Sequence, residues 1–65
     1  MLDAEKVERL RRRLGLSQEE AAIAAGFKSR QRWQNIIRGN GDIKLSTLAG
    51  IAKAVRCHAK ELLKD

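Results

Sequence analysis

Ser17-Gln18-Glu19-Glu20 fixes the start of a helix more tightly than any other segment of this chain. A serine hydroxyl can accept from the Glu20 amide while the Glu20 carboxylate reaches back to the serine amide. Two of the free donors at a helix start are then satisfied. The alanine-rich segment that follows runs to Ala25, and Gly26 ends it. Ser29 offers a second N-cap, for a helix reaching about Ile37. Only Gly26-Phe27-Lys28-Ser29 lies between the two, so the chain must set two short helices against each other across a tight turn. Alanines at 21, 22 and 25 let another helix approach closely.

The same period extends to both sides. Val7, Leu10 and Leu14 form one stripe of a first helix from about Asp3 to Leu14. Asp3 is its N-cap, Glu5 suits the positive end of the dipole, and Gly15 suits the C′ position. Leu45, Leu48, Ile51, Ala52 and Val55 mark a fourth helix, and a short fifth spans His58 to about Lys64, burying Leu62. Gly50 reads as a tolerated helix glycine; the sharper alternative is close approach of another backbone, a second subunit included. Residues 38–42 read as a plain loop. No run of alternating β-branched residues suggests a strand.

Composition closes off other architectures. With 65 residues the chain is one domain that buries only about 60% of its unfolded surface. Its one cysteine, Cys57, excludes an internal disulfide, and the adjacent Cys57-His58 pair is poor geometry for a metal. No cofactor or metal is expected, and stability must come from helix packing or a partner subunit. Cys57 reads as a small apolar residue and His58 as a helix-entry residue, so an enzyme has almost no support. No apolar run approaches the ~20 residues needed to span a membrane, and the first residues lack an apolar signal core. A cytoplasmic protein is expected.

Fourteen Lys+Arg against eight Asp+Glu give a net charge of +6, which favours a polyanionic partner. The basic run Arg9, Arg11, Arg12 and Arg13 is explained first by its place at a helix C-terminus. The third helix is more informative. Arg30, Gln31, Gln34 and Asn35 are residue types that match base edges in the major groove. A solvated face would accommodate them equally well, but such a face mixes charge signs. No acidic residue occurs from Phe27 to Gly41. Lys28, Ser29, Arg32, Arg38 and Lys44 flank this helix and suit phosphates, which set register without reading sequence. Gln18 heads the second helix, where free amides favour a phosphate too. Phe27 and Trp33, the only aromatics, read as core rather than as stacking platforms.

Leu16-Ser17-Gln18-Glu19-Glu20 opening the second helix and Ile36-x-Arg38-Gly39 closing the third resemble the Cro/C1-type (phage repressor-like, XRE) helix-turn-helix domain. Leu48-x-x-Ile51-Ala52-Lys53-Ala54-Val55 and Lys60-Glu61-Leu62-Leu63 fit its later helices, so the resemblance covers roughly residues 6 to 64. It implies an all-α, compact five-helix bundle of the lambda repressor-like type. It also implies a sequence-specific double-stranded DNA-binding transcription regulator, usually a repressor acting as a homodimer on a pseudo-palindromic site. The positions of Arg30, Gln31 and Asn35 would reach bases, and those of Gln18 and Arg38 would lie at phosphates. The alternative is an antitoxin-like or other protein-interaction module on the same fold.

Three departures from the family pattern stand out. The Gly26–Ser29 turn is one residue longer than usual, which can shift base contacts by a residue. Ile37 replaces a glutamate that usually pairs with an arginine at the place of Arg11, leaving Arg11 for a phosphate, Glu8 or Asp42. Ala21 replaces a leucine where Trp33 replaces a smaller aliphatic, an exchange that would conserve core volume.

Overall fold

The computed structural model describes residues 1–39 and 43–64. Four α-helices follow in order: α1 (Ala4–Arg13), α2 (Gln18–Ala24), α3 (Arg30–Ile37) and α4 (Leu45–Ala54). Asn40, Gly41 and Asp42, part of the expected loop and one suggested partner of Arg11, lie outside the described residues.

Local chemistry sets the helix starts. The Asp3 carboxylate accepts from the Lys6 amide at 3.2 Å. The Ser17 capping box is complete: Glu20 N donates to Ser17 Oγ at 3.0 Å and Ser17 N donates to Glu20 Oε1 at 2.9 Å. Ser29 holds the N-cap position of α3 with extended backbone, but its hydroxyl caps nothing.

The helix ends share one device. After α1, Gly15 N bonds back to Arg12 O and Leu16 N to Arg11 O. After α2, Gly26 N bonds to Ile23 O and Phe27 N to Ala22 O. Both pairs are the Schellman arrangement, which places the residue after the C-cap in left-handed backbone; Gly15 and Gly26 stand there at φ 73° and 86°. At the end of α4 the same two bonds run from Arg56 to Lys53 and from Cys57 to Ala52. Here Arg56 takes the left-handed position, at φ 57°.

The expected fifth helix is a single 3-10 turn, Ala59–Leu62. Leu63 leaves it in extended backbone and forms an isolated antiparallel bridge with Leu2. Asp3 N donates to Leu62 O at 2.6 Å and Lys64 N to Met1 O at 2.8 Å. A chain turned by Arg56 has only a few residues in which to reach the start of α1, and pairing with Leu2 takes the ones a further helical turn would need. The fold is thus all-helical with four α-helices, not five.

α2 packs on both α3 and α4, and the core lies where they meet. Trp33, Ile51, Leu62 and Val7 are its largest fully buried side chains. Ala21 is also fully buried in this cluster, so the bulk of Trp33 and the small size of Ala21 coexist as the exchange requires. Gly50 is not merely tolerated. A Cβ there would stand 2.5 Å from Ala25 O, so α4 needs a glycine to pass the end of α2. The backbone that approaches belongs to this chain and not to a second subunit. Periodicity misplaced two leucines: Leu14 is 38% exposed and Leu45 is 81% exposed.

Candidate nucleic-acid interface

α3 makes 3.6 residues per turn, so burying Trp33 decides which side chains face outward. Gln31, Asn35 and Arg38 recur at i, i+4 and i+7, opposite Trp33. Arg30 and Gln34 stand along one flank of this stripe, and Arg32 along the other. Ile36 and Ile37 are half-buried beside Trp33. Arg30, Gln31, Arg32 and Arg38 are exposed, and so are Lys28, Ser29 and Lys44 nearby in sequence.

The longer turn is absorbed without exposing the core. Phe27 is half-buried and packs against Trp33, with ring centroids 6.3 Å apart at 52°. The Arg32 guanidinium lies 5.9 Å from the Phe27 ring centroid, within cation–π range. Phe27 therefore connects the turn to the start of α3 on two sides. Arg32 keeps its charge at the surface while resting on that ring.

The expected readers divide into two groups. Gln31 Nε2 donates to Asn35 Oδ1 at 3.1 Å, a pair on the outward stripe of α3. Gln34 instead turns toward α2, where its Nε2 donates to Gln18 Oε1 at 3.0 Å. Gln18 is thus not a free first-turn side chain: it also donates from Nε2 to Glu8 Oε1 at 2.9 Å.

Glu8 was weighed in the sequence only as a partner for Arg11; pattern reading missed its links to α2 and α3. It sits on the half-buried side of α1 and accepts from three elements. Arg11 Nε donates to its Oε2 at 2.5 Å, Trp33 Nε1 to the same oxygen at 3.4 Å, and Gln18 to Oε1. Arg11 Nη1 also donates to Leu16 O at 2.6 Å, so this guanidinium joins α1 to the turn before α2. Among the described residues, Glu8 is the partner open to Arg11 in the sequence that it meets. Burial pushes the Glu8 carboxyl up, but the bonds from Arg11, Gln18 and Trp33 and the charge of Arg11 outweigh this and hold it below the usual glutamate range. The only signal in the sequence was the i, i+3 spacing of Glu8 and Arg11.

Burial and the Glu61 carboxylate raise the Cys57 thiol, with Lys6 partly opposing them. Cys57 is half-buried, in keeping with a small apolar residue. His58 opens the 3-10 turn, its amide donating to Glu61 Oε2 at 3.1 Å. Among the described residues no helix is long and apolar enough to cross a membrane.

A family model described as a helix-turn-helix domain matches residues 4–63. Among solved structures, the chain is similar to the restriction-modification controller protein C.AhdI from Aeromonas hydrophila. The two share 28% identity with a TM-score of 0.81, over 92% of this chain and 89% of that one. No curated protein gives a significant match. Matched over nearly its whole length and carrying an outward row of Arg, Gln and Asn on the second helix of the motif, the chain belongs to the helix-turn-helix domain family and is a DNA-binding transcription regulator of the Cro/C1 type.

Proposed function

We propose that the protein represses transcription by binding a specific duplex sequence, with α3 lying in the major groove. The observation that carries this reading is the acid-free outward face of α3, on which Gln31, Asn35 and Arg38 line up opposite the buried Trp33. Arg30 and Gln31 stand at the N-terminal end of that helix, the end that meets base edges in helix-turn-helix complexes. Arg is suited to guanine, and Gln and Asn to adenine. Gln34 takes a flanking base position. Lys28, Ser29, Arg32, Arg38 and Lys44 are assigned to phosphates, with Gln18 contributing its remaining N–H. The likeness to a restriction-modification controller supports a regulatory role for the bound protein.

A monomer on one half-site makes few contacts for a specific affinity of about 10⁻⁸–10⁻¹¹ M. A homodimer on a pseudo-palindrome with half-sites about one helical turn apart supplies the rest. The Gly50 side of α4, weighed in the sequence as a contact for a second subunit, is occupied by Ala25 of the same chain. The exposed Leu45 is an apolar contact left on α4 for a second copy.

Selection of bound duplexes from a random pool tests this reading. A symmetric consensus is expected, bound with an affinity that falls steeply with salt. Arg30→Ala and Gln31→Ala should each weaken that binding and relax the consensus at one position per half-site. Absence of any enriched sequence would refute specific readout and leave a protein-interaction module as the function.

A further inference from the structure

We propose that the Glu8 carboxylate is a positioning group for DNA readout: it dictates which end of the Gln18 amide faces α3 and, through Gln18, which end of Gln34 is left for the duplex. The proposal rests on the reading of Gln34 as a base-facing residue.

The logic is one of hydrogen-bond polarity. An ionised carboxylate can only accept. Its Oε2 is taken by Arg11 and Trp33, which can only donate, so Oε1 is what α2 meets. Gln18 must then turn its Nε2 to Glu8 and its Oε1 to α3. Facing an acceptor, Gln34 must donate from Nε2. One Gln34 N–H is consumed, and among the described residues its Oε1 and second N–H have no partner. That pair is the combination needed to accept from adenine N6 and donate to its N7. A charge on α1, making no contact with DNA in this scheme, thereby selects the base that α3 prefers.

Glu8→Gln reverses the chain. The new amide must keep its oxygen toward Arg11 and Trp33, because turning its NH₂ to two donors leaves both unpaired. Its NH₂ then faces Gln18, which has to present Oε1 to it and Nε2 to α3. Gln34 answers with Oε1, leaving two N–H donors outward. Donors alone suit the acceptors of guanine or of thymine O4. Adding Gln18→Glu to Glu8→Gln restores an acceptor in front of Gln34, and with it the original polarity, while removing the Gln18 N–H from the backbone.

The experiment pairs duplex selection with NMR of the glutamine side-chain amides in the intact protein. Glu8→Gln should shift the amide resonances of both Gln18 and Gln34. It should also move one consensus position per half-site from adenine toward guanine or thymine, by roughly tenfold in relative affinity. In the double variant the Gln34 resonances and the adenine preference should return, while overall affinity stays low. A structural role alone would not restore base preference without restoring affinity. Should Glu8→Gln fail to fold, Gln18→Ala cuts the relay in its middle and should relax the preference at that same position. Unmoved Gln34 resonances in a folded Glu8→Gln protein, or an unchanged consensus in either single variant, would overturn the proposal. If the wild-type protein enriches no duplex, specific readout is what fails, and the amide resonances still decide whether the relay exists.

Discussion

The indole N–H of Trp33 on α3 donates to Glu8 Oε2 on α1 over 3.4 Å, the same oxygen that pairs with Arg11. One carboxylate therefore ties the largest buried side chain of the core to the polar network between α1, α2 and α3. Core packing and that network share an atom, so changes at Trp33 act on both. Trp33→Ala should cost about 3–5 kcal/mol. A domain of 65 residues holds only about 3–10 kcal/mol in total, so loss of cooperative thermal unfolding at ordinary temperatures is expected. Iodide should scarcely quench Trp33 fluorescence in the folded wild type. Ready quenching would contradict the burial of the ring.

Gly50→Ala tests the crossing of α2 and α4. Helix propensity alone predicts a gain of about 1 kcal/mol. The Ala25 carbonyl stands 2.5 Å from where the new Cβ would sit, and it is backbone that cannot rotate away. Overpacking of this kind costs about 1–3 kcal/mol, so the midpoint of urea unfolding should fall. A rise would show that the helices separate without penalty.

Ser17 and Ser29 occupy equivalent cap positions with different consequences. Ser17→Ala removes a capping bond and should destabilise by about 1 kcal/mol. Ser29→Ala removes none and should leave thermal stability nearly unchanged. On a phosphate-contact reading it should weaken duplex binding instead. Equal effects of the two changes on melting temperature would contradict the assignment.

Arg56 holds left-handed backbone, which strains a residue with a Cβ by roughly 1–2 kcal/mol. Glycine relieves this but gives the unfolded chain more freedom, worth about 0.5–1 kcal/mol. Arg56→Gly should therefore raise stability by at most about 1.5 kcal/mol, read as an upward shift in the urea midpoint.

Acid should weaken the Glu8 hub. A carboxyl held below its ordinary value stabilises the fold at pH above that value, about 4.3 for glutamate, and the contribution is lost as pH falls through the lower folded value. Wild type should exceed Glu8→Gln in stability at neutral pH, and the two should converge on acidification below about pH 4. Glu20, lowered by its bonds to the Ser17 backbone and hydroxyl, titrates in both proteins and so cancels from the difference. A gap that stays constant with pH would exclude a charge-dependent role for Glu8.

What could be read in advance was local. Asp3, the Ser17–Glu20 box, Gly15 and Gly26 act on amides and carbonyls within a few residues, and each stands where its chemistry placed it. The outward face of α3 was nearly as legible, because burying Trp33 fixes the rotation of the helix. Long-range partners were not legible. Nothing near Glu8 in sequence announces Trp33 or Gln34, and nothing near Gly50 announces Ala25. Leu45 shows the limit of periodicity: it keeps the spacing of Leu48 and Ile51, yet α4 begins beyond the reach of its neighbours. The C-terminal segment depended on pairing with Leu2, a contact across almost the whole chain, so local propensity could not foresee the 3-10 turn.

That pairing also governs the order in which the molecule can assemble. The Asp3 amide, at the cap of the first helix, is satisfied by the carbonyl of Leu62. During synthesis α1 is made first, yet its entry cannot be completed until the last described residues have emerged and folded back. The two ends of the described chain thus meet like a clasp: a segment stopping short of Leu62 and Leu63 leaves the Asp3 amide without its backbone partner and Leu2 without its bridge.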